Sequence, residues 1–319
     1  MEILVVSDLH GMVPENLESL SQTLKGPVVF LGDVVGTTLL DQLQKLFYNG
    51  VYNHLKKLLN VNSNPKLGEL YCFPTEKGQT LHDGFMALVG FLNQIGKLNV
   101  DSFSDYVLGL SRYVHFGHFV SNLPEEIRQA LQKDMEVNAQ KIIGLMTNFT
   151  NRGQDVFVIE GNWDARTPLD FYPTDECKPL PVNERSFYFK DYLLKNNSKV
   201  CYFNTVGTFN LDQHVFVFWP FDSSVVHTQV PEIYKADLDK NGGKLILFSH
   251  GQADWYSVKG DIPMTSEGSK IQEVMAIVIN DLKPDIIVHG HLHENKPDYF
   301  YNGIPVTYCP LLSVRTLTI

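Results

Sequence analysis

The sequence predicts an α/β sandwich interrupted after its second strand by a mostly helical insertion. Three observations carry that reading. The chain opens on a strand–helix–strand unit, then shows helical periodicity with little strand character from about 37 to 150, and turns strand-rich after 155. Its 319 residues amount to roughly two domains, or one large α/β domain with an insertion. Residues 1–36 and 151–319 are therefore assigned to one domain. Residues 37–150 form a helical insertion of a size to make a cap subdomain over an active face.

The elements follow in order. Residues 2–7 (EILVVS) and 27–31 (PVVFL) are apolar, β-branched runs. Between them, 14–25 starts with a proline and carries Leu17, Leu20 and Leu24 at helical spacing. The insertion repeats that periodicity in 38–59, 85–98 and 125–153, the last opening on Pro124-Glu125-Glu126 and stopping at Asn151-Arg152-Gly153. Strand character returns at 155–160 and continues at 186–189, 199–203, 205–210, 214–219, 244–249 and 285–289. Helices are expected at about 228–240 and 267–282. Short strands near 298–301, 304–308 and 313–318 close the chain, the first two turned by Asn302-Gly303, a hairpin signal.

Composition narrows the function classes. With 26 Lys+Arg against 36 Asp+Glu, net −10, the chain lacks the broad basic surface of a protein held to nucleic acid or anionic membrane. No apolar stretch approaches the roughly 18 residues of a membrane span. The opening MEILVVSD has neither a basic n-region nor a long apolar core, so the expectation is a cytoplasmic protein. Cys72, Cys177, Cys201 and Cys309 lie far apart with no CxxC pair, which reads as free thiols rather than a disulfide framework or a Cys-based zinc site.

Five short polar clusters each end an apolar run: Asp8-Leu9-His10, Gly32-Asp33, Gly161-Asn162-Trp163-Asp164, Ser249-His250-Gly251 and Gly290-His291-Leu292-His293. Ligands of α/β sheets bind beyond the carboxyl ends of strands, where these loops fall. Asp, His and Asn offer oxygen and nitrogen donors of borderline hardness, suited to Mn, Fe or Zn. Glycine beside each cluster permits a tight turn and close backbone approach. One such cluster alone is weak; five in series are hard to explain as core or solvated surface.

The order D-x-H, G-D, G-N-x-D, x-H-G, G-H-x-H resembles the calcineurin-like metallophosphoesterase superfamily, over about 1–36 and 155–319 but not the insertion. The resemblance implies a calcineurin-like double β-sandwich flanked by helices, with two divalent metal ions at the strand ends. Asp8, His10 and His293 would hold one ion; Asn162, His250 and His291 the other; Asp33 would bridge them. Asp33, Asn162 and His250 are the residues it assigns to catalysis. Two such ions, about 3.5–4 Å apart, activate a bridging water and clamp the oxygens of an in-line displacement at phosphorus.

One position departs from the family. Its G-N-H-D/E motif has a histidine after the Asn, thought to protonate the leaving oxygen; here Trp163 stands there, with no titratable proton. Trp163 is read either as a substrate-stacking residue or as a packing residue. His227, His289, His115 and His118 are the alternative donors, His289 favoured as structural. Arg166, with Arg185 and Asp222 behind it, is a weak candidate for substrate contact.

The function expected is hydrolysis of a small phosphodiester or phosphomonoester by attack of metal-bridged hydroxide. The alternatives are a binding or scaffold protein that kept the fold and lost activity, and a nuclease. The complete ligand set speaks against the first and the acidic balance against the second. The sequence leaves the substrate, the native metals and the oligomeric state open.

Overall fold

The computed structural model describes residues 1–53, 57, 81–100, 103, 116–165, 167, 169, 188–220, 243–251, 279–280, 282–291 and 297–319. The chain divides into two compact units. One comprises Met1–Val35, Ala139–Ala165 and Phe189–Ile319, the other Gly36–Asn138 and Arg166–Tyr188.

The first unit is built on two mixed sheets. The five-stranded sheet joins β1 (Glu2–Ser7), β2 (Val28–Phe30), β3 (Val156–Ile159) and β4 (Cys201–Phe203) in parallel, with the last strand, β11 (Ser313–Thr318), antiparallel beside β1. The six-stranded sheet runs β5 (Gly207–Leu211), β6 (His214–Trp219), β7 (Leu245–Ser249), β8 (Ile286–His289), β10 (Ile304–Tyr308), β9 (Tyr299–Tyr301). β6, β7, β8 and β10 are parallel, and the two edge strands are antiparallel.

Alternation along these strands produces the layering. Ile3, Val5, Val29, Leu31, Phe157 and Ile159 of the first sheet meet Phe216, Phe218, Ile246, Phe248 and Val288 of the second in one buried cluster. Aromatic rings set much of this interface, with Phe157 stacked on Phe218 at 5.0 Å and Phe203 on Phe218 at 4.3 Å. The intervening residues Val215, Val217, Leu245, Leu247 and Ile287 face the other way and are covered by Ile279 and Leu282. Strands buried on both faces read as continuous apolar runs, which is why they stood out in the sequence.

Helices flank the first sheet. α1 (Glu15–Thr23) buries Leu17, and Phe149 of a long later helix packs against Phe30 of β2 at 6.5 Å. The expected strand at 186–189 is corrected here: 186–187 lie outside the described residues, and Phe189–Asn196 is a helix. Phe189 and Leu193, one turn apart, are buried, and Phe189 contacts Tyr202 of β4. The β9–β10 hairpin turns at Asn302 and Gly303, both in the left-handed region (φ 50° and 81°) that a two-residue turn requires. The stretch 228–240, expected to be helical, lies outside the described residues, as does most of 267–282.

The described residues of the second unit are helical: α2 (Thr38–Lys45), a π-helical stretch at Leu46–Tyr52, α3 (Leu81–Ile95), α4 (Phe116–Ser121), and the first part of α5 (Glu125–Asn151), whose remainder belongs to the first unit. Thr37 caps α2 by accepting from the Leu40 amide. Phe47 stacks on Phe119 at 4.4 Å and on Tyr52 at 5.5 Å, the centre of an aromatic core. The next helices along the chain are α6 (Asn162–Ala165) and α7 (Phe189–Asn196). No helix among the described residues is long and apolar enough to cross a membrane.

Candidate metal centre

Parallel pairing places the loops after β1, β2 and β3 side by side, since Val6 pairs with Phe30 and Phe30 with Val158. In the other sheet, Ser249 pairs with His289, so the loops after β7 and β8 are also adjacent. The first two loops are further tied by their backbones: His10 N donates to Asp33 O (2.9 Å) and Gly11 N to Val34 O (3.0 Å). Asp8, His10, Asp33 and His291 all adopt left-handed backbone (φ 49°, 45°, 48° and 72°). Such conformations cost about 1–3 kcal/mol each for non-glycine residues and gather at functional sites.

The side chains converge. His250 Nε2 lies 2.9 Å from Asn162 Oδ1, 3.0 Å from His291 Nδ1 and 3.5 Å from Asp33 Oδ2. His10 Nε2 lies 3.7 Å from the same Asp33 oxygen. Two groups have ligand atoms within 4.8 Å of one another, Asp8–His10–Asp33 and Asp33–His250–His291, and Asp33 belongs to both. His250 Nδ1 donates to Leu31 O at 2.8 Å, which orients the ring and, in its neutral form, leaves the Nε2 lone pair facing the cluster.

The glycines beside the clusters are required by close approach. A Cβ at Gly161 would collide with the backbone amide and carboxylate of Asp33, and one at Gly290 with Ser7 Oγ and Asp8 Oδ2.

The electrostatics describe a site that wants cations. Asp8, Asp33 and Asp164 are each at most 2% exposed. Burial raises the Asp8 carboxyl to about 6, opposed by His250 and reinforced by Asp33. Burial, then the Asp33 charge, raise Asp164 to about 7. Asp33 is also penalised by burial, but His250, His10 and His291 together hold it well below the usual carboxylate range. His250 is lifted to about 9: burial alone would lower it, and the carboxylates of Asp33 and Asp8 outweigh that effect. Asp8 Oδ1, fully buried, has no hydrogen-bond partner among the described residues. Buried carboxylates, a carboxylate oxygen without a hydrogen-bond partner among the described residues, and imidazole nitrogens in the same cluster fit divalent ions of borderline hardness.

The comparisons agree with that chemistry. The family model described as calcineurin-like phosphoesterase matches residues 81–295. The chain belongs to the calcineurin-like phosphoesterase family. The match contains Asn162, His250, His291 and His293; Asp8, His10 and Asp33 precede it and are brought to the others by strand pairing. No curated protein matches the chain. Among solved structures, phosphopantetheinyl hydrolase from Mycobacterium tuberculosis is 12% identical, with 97% of this chain and 89% of that one covered and a TM-score of 0.37. A second solved chain is 10% identical, with 99% and 98% covered and a TM-score of 0.35. Likeness of that degree assigns neither fold detail nor activity.

Within this calcineurin-like phosphoesterase, the structure brings Asp8, His10, Asp33, Asn162, His250 and His291 together. His293 lies outside the described residues, as do Arg166, Arg185, Asp222, His115, His227 and the side chain of His118. Trp163 is buried, its ring edge-on to His10 at 4.7 Å and its amide donating to Asp33 Oδ1 at 2.8 Å. His289 is buried between Tyr299 and Tyr308, with Nε2 2.8 Å from the Tyr299 hydroxyl, a structural placement.

Asp164 has a role the sequence did not reveal. Its Oδ1 accepts from Val35 N at 2.9 Å and its Oδ2 from Gly161 N at 3.1 Å, bracing the loops that carry Asp33 and Asn162. Its place in the G-N-x-D motif was the available signal; its partner 129 residues away was not readable.

Proposed function

We propose that this chain is a dinuclear metal-dependent phosphoesterase acting on a small phosphodiester or phosphomonoester. The observation that carries the reading is Asp33, shared by two groups of candidate ligands. Asp8, His10 and His293 would hold one ion, Asn162, His250 and His291 the other, and Asp33 both. Bound divalent ions supply charge neutralisation at phosphorus and a lowered pKa for a water ligand.

The chain's own residues supply the rest. Leu31 O orients His250, the backbone of Gly11 and His10 locks the first loop onto the second, and Asp164 fixes the spacing of the Asp33 and Asn162 loops. Trp163 walls one side of His10 and brings no titratable proton, so substrates whose leaving oxygen departs without a dedicated acid suit this site best. That favours diesters and aryl esters over alkyl monoesters. Net charge −10 disfavours long nucleic-acid substrates.

The test is metal analysis of the purified protein, then turnover of an aryl phosphodiester with added Mn²⁺. Two ions per chain and metal-dependent turnover are expected. Two bound ions without turnover of any ester would favour a scaffold role, and no bound ion at saturating Mn²⁺ would overturn the proposal.

A further inference from the structure

The hydroxyl of Ser7 donates to Asp8 Oδ2, and the backbone amide of His291 donates to the same oxygen at 2.9 Å. The other oxygen, Oδ1, is buried and has no hydrogen-bond partner among the described residues. Ser7 is itself fully buried at the end of β1, and the missing side chain of Gly290 is what leaves room for its hydroxyl beside Asp8. Asp8 stands in left-handed backbone, so its carboxylate is turned by the loop and then pinned by two donors on one side.

A carboxylate offers about four lone-pair sites over two oxygens. Here the donors are gathered on one oxygen, and the other has none among the described residues. We infer that Ser7 is a positioning residue that makes Asp8 a one-oxygen ligand, presenting Oδ1 to a cation and withholding Oδ2. The inference rests on the metal-centre reading above. A two-oxygen carboxylate would raise the coordination number of the ion it holds and occupy a position that water or substrate needs; one-oxygen ligation leaves that position open.

The experiment compares wild type, Ser7→Ala, Ser7→Thr and Ser7→Cys, using Co²⁺ as the probe, with calorimetric titration and visible absorption as readouts. In Ser7→Ala the carboxylate is free to turn, so affinity for one of the two ions should fall about tenfold or more, the range for loss of an outer hydrogen-bond partner. The Co²⁺ bands should shift with the change in coordination, while the other ion binds as before. Ser7→Thr keeps the hydroxyl and should restore affinity and spectrum together. Ser7→Cys, close to serine in size with a weak donor, should fall between and carries the test should the alanine variant fold poorly.

Wild-type affinity and spectrum in Ser7→Ala, or a threonine variant that behaves like alanine, would overturn the role of the hydroxyl while leaving the metal centre standing. Wild-type protein that takes up no Co²⁺ would overturn the metal centre and the role of Ser7 with it.

Discussion

Replacing Asp164 by alanine removes the acceptor of two buried amides, Val35 N at 2.9 Å and Gly161 N at 3.1 Å. The substitution leaves both N–H groups desolvated, at about 1–3 kcal/mol each, so the gross loss is roughly 2–6 kcal/mol. Part of this returns, because burial and the neighbouring Asp33 charge already disfavour the ionised carboxylate, lifting its pKa to about 7. A net destabilisation of about 2–4 kcal/mol follows, which lowers the melting temperature by about 4–16 °C. Asp164→Asn keeps one acceptor and turns an N–H₂ toward the second amide, so its loss should be smaller than that of alanine. The assay is calorimetric melting of chelator-treated protein at pH 7.5. An alanine variant that melts within about 1 °C of wild type would refute the bracing argument, as would an asparagine variant less stable than alanine.

Asp33→Asn should weaken both ion sites at once and cut turnover at least ~10²-fold even at saturating metal, because the shared carboxylate serves both groups; titration showing loss at one site only would contradict the sharing. Metal affinity should rise with pH: His250 is held near 9 in the metal-free chain, so an ion must displace its proton, and affinity should climb about tenfold per unit from pH 6.5 to 8.5. Below about pH 6 protonation of Asp8 should weaken binding further. Titrations in buffers of differing ionisation enthalpy measure the protons released, and pH-independent affinity with no proton release would reject this account.

Much of the first unit was legible because its central strands are buried on both faces and its polar clusters sit where the runs end. Asp8, Asp33, Asn162, His250 and His291 were visible as residues following Ser7, Gly32, Gly161, Ser249 and Gly290, a pattern that depends only on local order. What escaped was whatever depends on a distant partner. The bond from His291 N to Asp8 Oδ2 spans 283 residues, and that from Val35 N to Asp164 Oδ1 spans 129. The left-handed turns at Asp8, His10, Asp33 and His291 also left no mark, since Asp and His enter that region without the signature a glycine provides. The misreading at Phe189 has a simple origin. Ser186-Phe187-Tyr188-Phe189 is aromatic enough to pass for a strand, and only the burial of Leu193 one turn on from Phe189 shows the helical period. The π-helical stretch at Leu46–Tyr52 was invisible for the opposite reason, because a widened turn barely alters apolar spacing.

The family match begins at residue 81, yet three of the gathered residues precede it, and parallel register explains how they become part of one site. Leu4, Val5 and Val6 pair with Val28, Val29 and Phe30, and these with Val156, Phe157 and Val158, so the short loops that follow the three strands bring Asp8, Asp33 and Asn162 to one edge. A one-residue slip in β1 would move Ile3 and Val5 out of the inter-sheet core and turn Asp8 away together. The same apolar pairs that stabilise the sandwich therefore fix the geometry of the site. They also supply the free energy that holds four left-handed turns and three buried carboxylates in place. In the metal-free chain that cost is offset in part by a charged His250, lodged between Leu31 O and Asn162 Oδ1. On the proposed metal centre, entry of cations would relieve the carboxylates and release the histidine proton, so affinity for metal would draw on strain the core already holds. On that proposal the core is a determinant of metal affinity: truncating Phe157 or Phe218, which touch no candidate ligand among the described contacts, should loosen the register on which Asp33 and Asn162 depend and weaken metal binding in a calorimetric titration.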